Sequence, residues 1–272
     1  MGFDIAPLLE ALVFTDASSS PKTALPRYMD TFAHLIDWHI GGSIFDPKTK
    51  AFKSTAAVRA IHKGVRGAMQ AKYPGTHKIN MYNLATVQTG FMGAATTSPT
   101  AYGLRVSDAK LSDYVYFWRC VGRQLGIADE FNLCGNGKKN SDAIVNEIID
   151  QLLLPGLVNP PPDYQPMSQA YIDGINSVFG GLPVLSVPST LAVIFWSLGR
   201  QPDFPFVFGI VDCFRFYGLY RVLFVLIGYV PGFETTASAL ELTVFALRPP
   251  PTRCAFADSR YKTPKSHALV LC

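Results

Sequence analysis

The chain has 272 residues, 49% of them hydrophobic and 16% charged, with a formal net charge of +4. That is enough apolar material for a large core in one domain. Its basic residues are scattered, with no Lys/Arg block and no aromatic-interleaved basic stripe, which excludes a nucleic-acid-binding surface of the usual kind.

Helical periodicity dominates and period-two alternation is scarce, so the sequence predicts an all-α fold, a helical bundle. Pro7 to Val13 predicts a short first helix, and Ser18 to Lys22 a turn. Pro26 predicts the start of a helix over Arg27 to Ile40, ended by Gly41-Gly42. Ser54 is the expected N-cap of the next helix, which Pro74-Gly75 stops. Asn80 is expected to cap a helix carrying Leu84, Val87 and Phe91. Ser107 opens and Gly126 closes a helix in which Trp118, Val121 and Leu125 make one core stripe. Gly135 to Asn140 reads as a polar loop, Ser141 as the start of a helix with Ile144, Ile148 and Leu152 in period, and Pro155 to Pro166 as a connector.

Beyond that the chain becomes more apolar. Leu182 to Leu198 is broken by Pro183 and Pro188. Phe204 to Val230 contains Asp212, Arg215 and Arg221, each costing roughly 2.5–3.5 kcal/mol at a bilayer centre. Buried core helices, or helices lying on a membrane face, fit both stretches better than a span. The expected division is one helical domain over 20–245, best supported over 20–160, with an N-terminal helix and turn over 1–19 and a disordered tail over 248–272. Cys120, Cys134, Cys213, Cys254 and Cys272 form no C-x-x-C pair or even framework and read as free thiols of a reducing compartment. Asp4 and Glu10 leave no basic n-region, so no secretory signal is expected.

Motif by motif, most chemistries drop out. No P-loop, no G-x-G-x-x-G after a strand and no G-x-S-x-G elbow occurs. His34, His39 and His77 lack a Glu-x-x-His or His-Glu-x-x-His partner and are expected as packed or surface side chains. The informative stretch is Val58 to Gly67. On one helix, Arg59 lies three residues before His62 and Arg66 four after it, so all three share a face, which Thr55, Val58, Val65 and Met69 extend with small or apolar groups. A lone imidazole on such a stripe suits an axial haem ligand, and the flanking guanidinium groups suit the two propionates. The same spacing also fits a surface helix with solvated arginines.

Three segments in order carry a resemblance. Arg59-x-x-His62-x-x-x-Arg66 is similar to the haem-ligand helix of the latex-clearing-protein (rubber oxygenase) family, which includes the mpaB-type ER-bound oxygenases. Arg27-Tyr28-Met29-Asp30-Thr31 is similar to the family's Arg-x-x-x-Thr segment. The run Asp113-Tyr114-Val115-Tyr116-Phe117-Trp118-Arg119-Cys120-Val121-Gly122-Arg123-Gln124-Leu125-Gly126-Ile127 resembles its aromatic-Trp-Arg-x-x-Gly-x-x-Leu-Gly-Ile helix. The resemblance covers roughly residues 20 to 160 and implies a globin-like haem-binding core. It implies haem b with His62 as the iron ligand, Arg59 and Arg66 on the propionates, and Arg27 and Thr31 as catalytic residues on the distal side. The implied activity is an oxidoreductase that uses O2 to cleave or oxidise a carbon–carbon double bond in a hydrophobic, isoprenoid-type small molecule or polymer. The implied setting is cytoplasmic or ER-associated, with peripheral membrane contact.

There are departures from the pattern. In rubber oxygenases a lysine precedes the threonine and can reach the distal iron position; here that position is Asp30. Glu10, seventeen residues before Arg27, matches the family's upstream glutamate in spacing but not in flanking sequence. Two other readings stay open: a non-catalytic haem- or lipid-binding helical protein, favoured by Asp30, and a membrane-associated helical protein without cofactor, favoured by the apolar second half.

Overall fold

Side-chain caps decide where most of the helices begin. In the computed structural model, which describes residues 6–75, 77–200, 209–222, 226, 229 and 230, all regular structure among the described residues is helical. The elements are α1 (Ala6–Thr15), α2 (Pro21–Ile40), α3 (Lys50–Lys72), α4 (Met81–Thr97) and α5 (Asp108–Leu125). Then α6 (Gly137–Ile148) continues through one wide turn (Ile149–Leu153) into α7 (Leu154–Val158), followed by α8 (Tyr164–Val178), α9 (Val187–Ser197) and α10 (Ile210–Cys213), which widens over Phe214–Arg221. Asn80 caps α4 and Ser107 caps α5, as their side-chain chemistry predicts.

Four boundaries differ from the sequence expectation, each for a local reason. Helix α2 starts at Pro21, not after Pro26: Ser20 and Thr23 form a reciprocal capping box, and Pro21 sits where a missing N–H does no harm. Pro26 lies exposed within the helix. Helix α3 starts at Lys50 because the Thr49 hydroxyl accepts from the Phe52 N–H at 3.1 Å. Ser54, the expected cap, is instead buried inside that helix. Helix α6 begins at Gly137 without a side-chain cap, so Gly135 to Asn140 is only partly loop, and the Lys138–Asp142 pair at 2.5 Å bridges its first turns. Pro155 to Pro166 is no plain connector: Pro155 and Pro166 occupy first-turn positions of α7 and α8, where proline is tolerated.

Trp118 is the hub of the main core. It is 2% exposed, stacks on Phe91 at 6.0 Å and meets Trp38 edge-on at 6.3 Å. Helix α4 is locked onto α5 by the buried Gln88, whose Nε2 donates to the Trp118 carbonyl at 2.6 Å. Gly122 makes this possible, since a Cβ there would lie 2.8 Å from Asn132 Nδ2 and 3.1 Å from Gln88 Oε1. Asn132 closes the same joint by donating to the Arg119 carbonyl at 2.9 Å.

No helix of the described residues is long and apolar enough to cross a membrane. The Leu182 to Leu198 stretch contains α9, which has eleven residues and buries Leu191, Val193 and Phe195. Part of Phe204 to Val230, the expected tail over 248–272, Cys254 and Cys272 lie outside the described residues. Cys120, Cys134 and Cys213 are free thiols.

Helices α2 and α3 pack antiparallel. The Ala51 N–H donates to the Gly41 carbonyl near their junction. Further along, Ser54 Oγ meets both Trp38 Nε1 (3.0 Å) and His34 Nδ1 (2.8 Å). Ser54→Ala strips the buried Trp38 N–H of its acceptor and should destabilise the fold by about 1–3 kcal/mol. Urea unfolding measures this; an unchanged midpoint at unchanged m-value would show that the hydroxyl carries no net stability.

Candidate functional site

The antiparallel register that sets Ser54 against His34 and Trp38 carries the other end of α2 toward His62. His62 is half-buried, and its Nδ1 is closed to solvent without a hydrogen-bond partner. Burial above all, then the positive charges of Arg66 and Arg27, push its imidazole down to about 4 from the ordinary 6.5. A proton on this ring would have to sit in a desolvated place beside two guanidinium groups. The ring is therefore neutral at pH 7, the only form in which an imidazole nitrogen can bind a metal. An orphaned buried nitrogen is itself unusual and calls for a partner.

Arg66 is oriented by the connection between α3 and α4. Its Nε donates to the Ile79 carbonyl at 2.8 Å. Ile79 has φ 52, a left-handed conformation unfavourable for a β-branched residue. Next to it, Lys78 pairs with Glu10 of α1, which places Glu10 in an ion pair that ties α1 to this loop.

Arg59 goes elsewhere. Its Nη1 donates to the Gln124 carbonyl at 3.3 Å, at the C-terminal end of α5, where cations are favoured. The guanidinium packs beside Gly126, whose φ of +100 ends the helix; a Cβ there would stand 3.4 Å from Arg59 Nε. The two conspicuous motifs, Arg-x-x-His-x-x-x-Arg and Trp-Arg-x-x-Gly-x-x-Leu-Gly-Ile, thus touch each other.

From α2, Arg27 faces His62 with its charge, while its Nη1 donates to Ser18 Oγ at 3.1 Å. The Thr31 hydroxyl donates back to the Arg27 carbonyl at 3.1 Å, leaving its oxygen lone pairs for another partner. Asp30 sits between them in sequence and exerts its pull on His34, raising an imidazole that burial pushes down. So the charges of Arg27 and Arg66 both act on His62, Thr31 sits one turn along from Arg27, and Arg59 reaches α5. Sequence reasoning missed Ser18, a small turn residue whose burial no periodicity announces, and the Ile79 carbonyl, a backbone atom.

Among the described residues no three His, Cys, Asp or Glu side chains gather closely enough to hold a metal ion. A lone neutral imidazole on which the charges of Arg66 and Arg27 act fits a haem with its two carboxylates.

The family model for the catalytic domain of ER-bound oxygenase mpaB/B' and rubber oxygenase matches residues 7–163. The matched span runs from α1 to the approach of α8 and includes Arg27, Thr31, Arg59, His62 and Arg66. No curated protein and no solved structure matches the chain.

The burial of His62 has a pH signature. Unfolded, the imidazole takes a proton as pH falls through 6.5; folded, it does so only near 4. Across that window the unfolded chain binds more protons, so this contribution to stability is complete above pH 6.5 and is lost progressively toward pH 4. The cofactor-free protein should lose stability more steeply over that range than His62→Leu, by urea midpoints at each pH. Parallel profiles would show that His62 titrates normally.

Proposed function

The chain belongs to the catalytic-domain family of ER-bound oxygenase mpaB/B' and rubber oxygenase, and we propose that it is a haem b-dependent oxygenase in which His62 would hold the haem iron. The observation that supports this reading is the neutral, desolvated His62 ring, its Nδ1 unpartnered, set between the charges of Arg66 and Arg27. When bound, haem would supply O2 activation at its iron for oxidative attack on a carbon–carbon double bond. The substrate would be a hydrophobic, isoprenoid-type small molecule or polymer.

The chain's own residues then have distinct tasks. His62 anchors the cofactor through one nitrogen. Arg66 keeps further guanidinium N–H groups beyond its bond to Ile79 and is placed to meet a carboxylate. Arg59 is committed to the Gln124 carbonyl at the end of α5 and would reach a second carboxylate only with the donors which that one bond leaves over from the five a guanidinium carries. Arg27 and Thr31 line the distal side in this reading, where a hydrogen-bond donor helps decide between holding O2 and activating it. Peripheral contact with a membrane, in the cytoplasm or at the ER, belongs to the same proposal and draws on the family's description.

One observation favours a second reading, a haem-binding protein without oxygenase activity. Asp30 stands where rubber oxygenases carry a lysine, and a carboxylate cannot act as a neutral amine ligand. Oxygen consumption with a polyprenyl substrate separates the two readings once haem is bound.

His62→Ala should abolish stoichiometric haem uptake, seen as loss of the Soret band. A variant that keeps wild-type haem content would place the ligand elsewhere. Arg66→Leu and Arg59→Leu should each release haem faster by about 10- to 100-fold, the equivalent of one lost charge-assisted contact. Unchanged release in both would return these side chains to structural duty. Asp30→Lys should add a nitrogen-ligated, low-spin component that grows as pH rises, because lysine binds metal only when neutral. Electron paramagnetic resonance reads this, and such a signal already present in the unmodified protein would displace Asp30 from the distal side.

A further inference from the structure

Ser18 lies in the five-residue connection between α1 and α2 and is 0% exposed. The chain enters this connection through Asp16, whose φ of 53 is left-handed; aspartate tolerates that conformation better than most residues. Past this bend, Ser18 comes to rest with its hydroxyl 3.1 Å from Arg27 Nη1. The Arg27 guanidinium also lies 5.0 Å from the centre of the Tyr28 ring, within cation–π range. The Tyr28 phenol lies beside the group: burial pushes its pKa up, and the Arg27 charge pulls it back. One long, rotamer-rich side chain is therefore held by a buried hydroxyl and an aromatic ring, while its charge bears on His62.

A buried serine needs a hydrogen-bond partner wherever it sits, and a main-chain carbonyl one turn away would be the ordinary choice. Here the partner is a guanidinium from the next helix, which donates to Ser18 Oγ at 3.1 Å and is also held 5.0 Å from the Tyr28 ring centre. We propose that Ser18 is a positioning residue: its hydroxyl fixes the Arg27 guanidinium in place, so that the α1–α2 turn sets the electrostatics on the distal side. The inference rests on the functional reading above for what the placement serves, but the placement itself is a property of the protein without cofactor.

The test uses the full chain and has two arms. In the cofactor-free protein, nitrogen-15 NMR reads the Arg27 guanidinium and the His62 ring at pH 7. Ser18→Ala should speed Arg27 Nη hydrogen exchange several-fold and move the His62 ring nitrogen shifts the way Arg27→Leu moves them, with unchanged backbone spectra for α2 and α3. In the haem-loaded ferrous protein, the stretching frequency of bound CO should shift in the same direction in Ser18→Ala and Arg27→Leu. The double variant should match Arg27→Leu alone. Wild-type Arg27 exchange or wild-type His62 ring shifts in Ser18→Ala would overturn the proposal. So would a CO frequency that Arg27→Leu moves and Ser18→Ala does not, since Ser18 would then serve only the turn. If the unmodified protein takes up no haem, the functional reading fails and the first arm alone decides the role of Ser18. Ser18→Cys, close in size but a weak acceptor, replaces Ser18→Ala under the same criteria if the alanine variant does not fold.

Discussion

The antiparallel seam between α2 and α3 brings Arg27 to His62 at one end and sets His34 and Trp38 on Ser54 at the other. Both ends rest on the same register. A slip by one residue would turn the Arg27 guanidinium away from His62 and leave the Trp38 N–H facing apolar side chains, a buried donor without an acceptor. The register is fixed at the junction, where Gly41 receives the Ala51 N–H, and along the flank, where Trp118 of α5 meets Trp38 edge-on. The helices that carry no candidate site residue thus matter to the site by holding two that do.

The electrostatics follow from that seam. Desolvation alone lowers an imidazole pKa, and two nearby guanidinium groups lower it further, down to about 4. A buried nitrogen left without a hydrogen-bond partner is costly for a merely structural histidine. It suits a ligand that must stay neutral and must leave one nitrogen available. His34, also buried on the same seam, shows the contrast. Its Nδ1 is partnered by Ser54, and Asp30 and Asp37 oppose the effect of burial. The two histidines sit in one interface with opposite provisions, and only His62 is left wanting a partner.

The helical class, the α4 and α5 caps and the glycine stop at Gly126 were legible because each rests on side-chain chemistry within a few residues. The convergence of Arg66 with His62 was legible for the same reason, since four residues on a helix make neighbours. What could not be read was set across the chain. Ser20 and Ser54 look alike in sequence, but the first caps α2 with Thr23 while the second is drawn inside by Trp38 and His34. Helix α8 hid behind its prolines. Arg59 shares the His62 face by spacing, yet the helix end at Gln124, sixty-five residues away in the chain, binds it. Gly126 itself is required by its left-handed φ of +100 at the helix end, and the Arg59 side chain packs against it.

The central claim is that a neutral His62 would hold the haem iron, and chemical rescue tests it most directly. His62→Gly should lose the ferrous iron–histidine stretching band in resonance Raman, and free imidazole should restore both the band and haem retention. A His62→Gly protein that holds haem with the same band in the absence of imidazole would contradict the account.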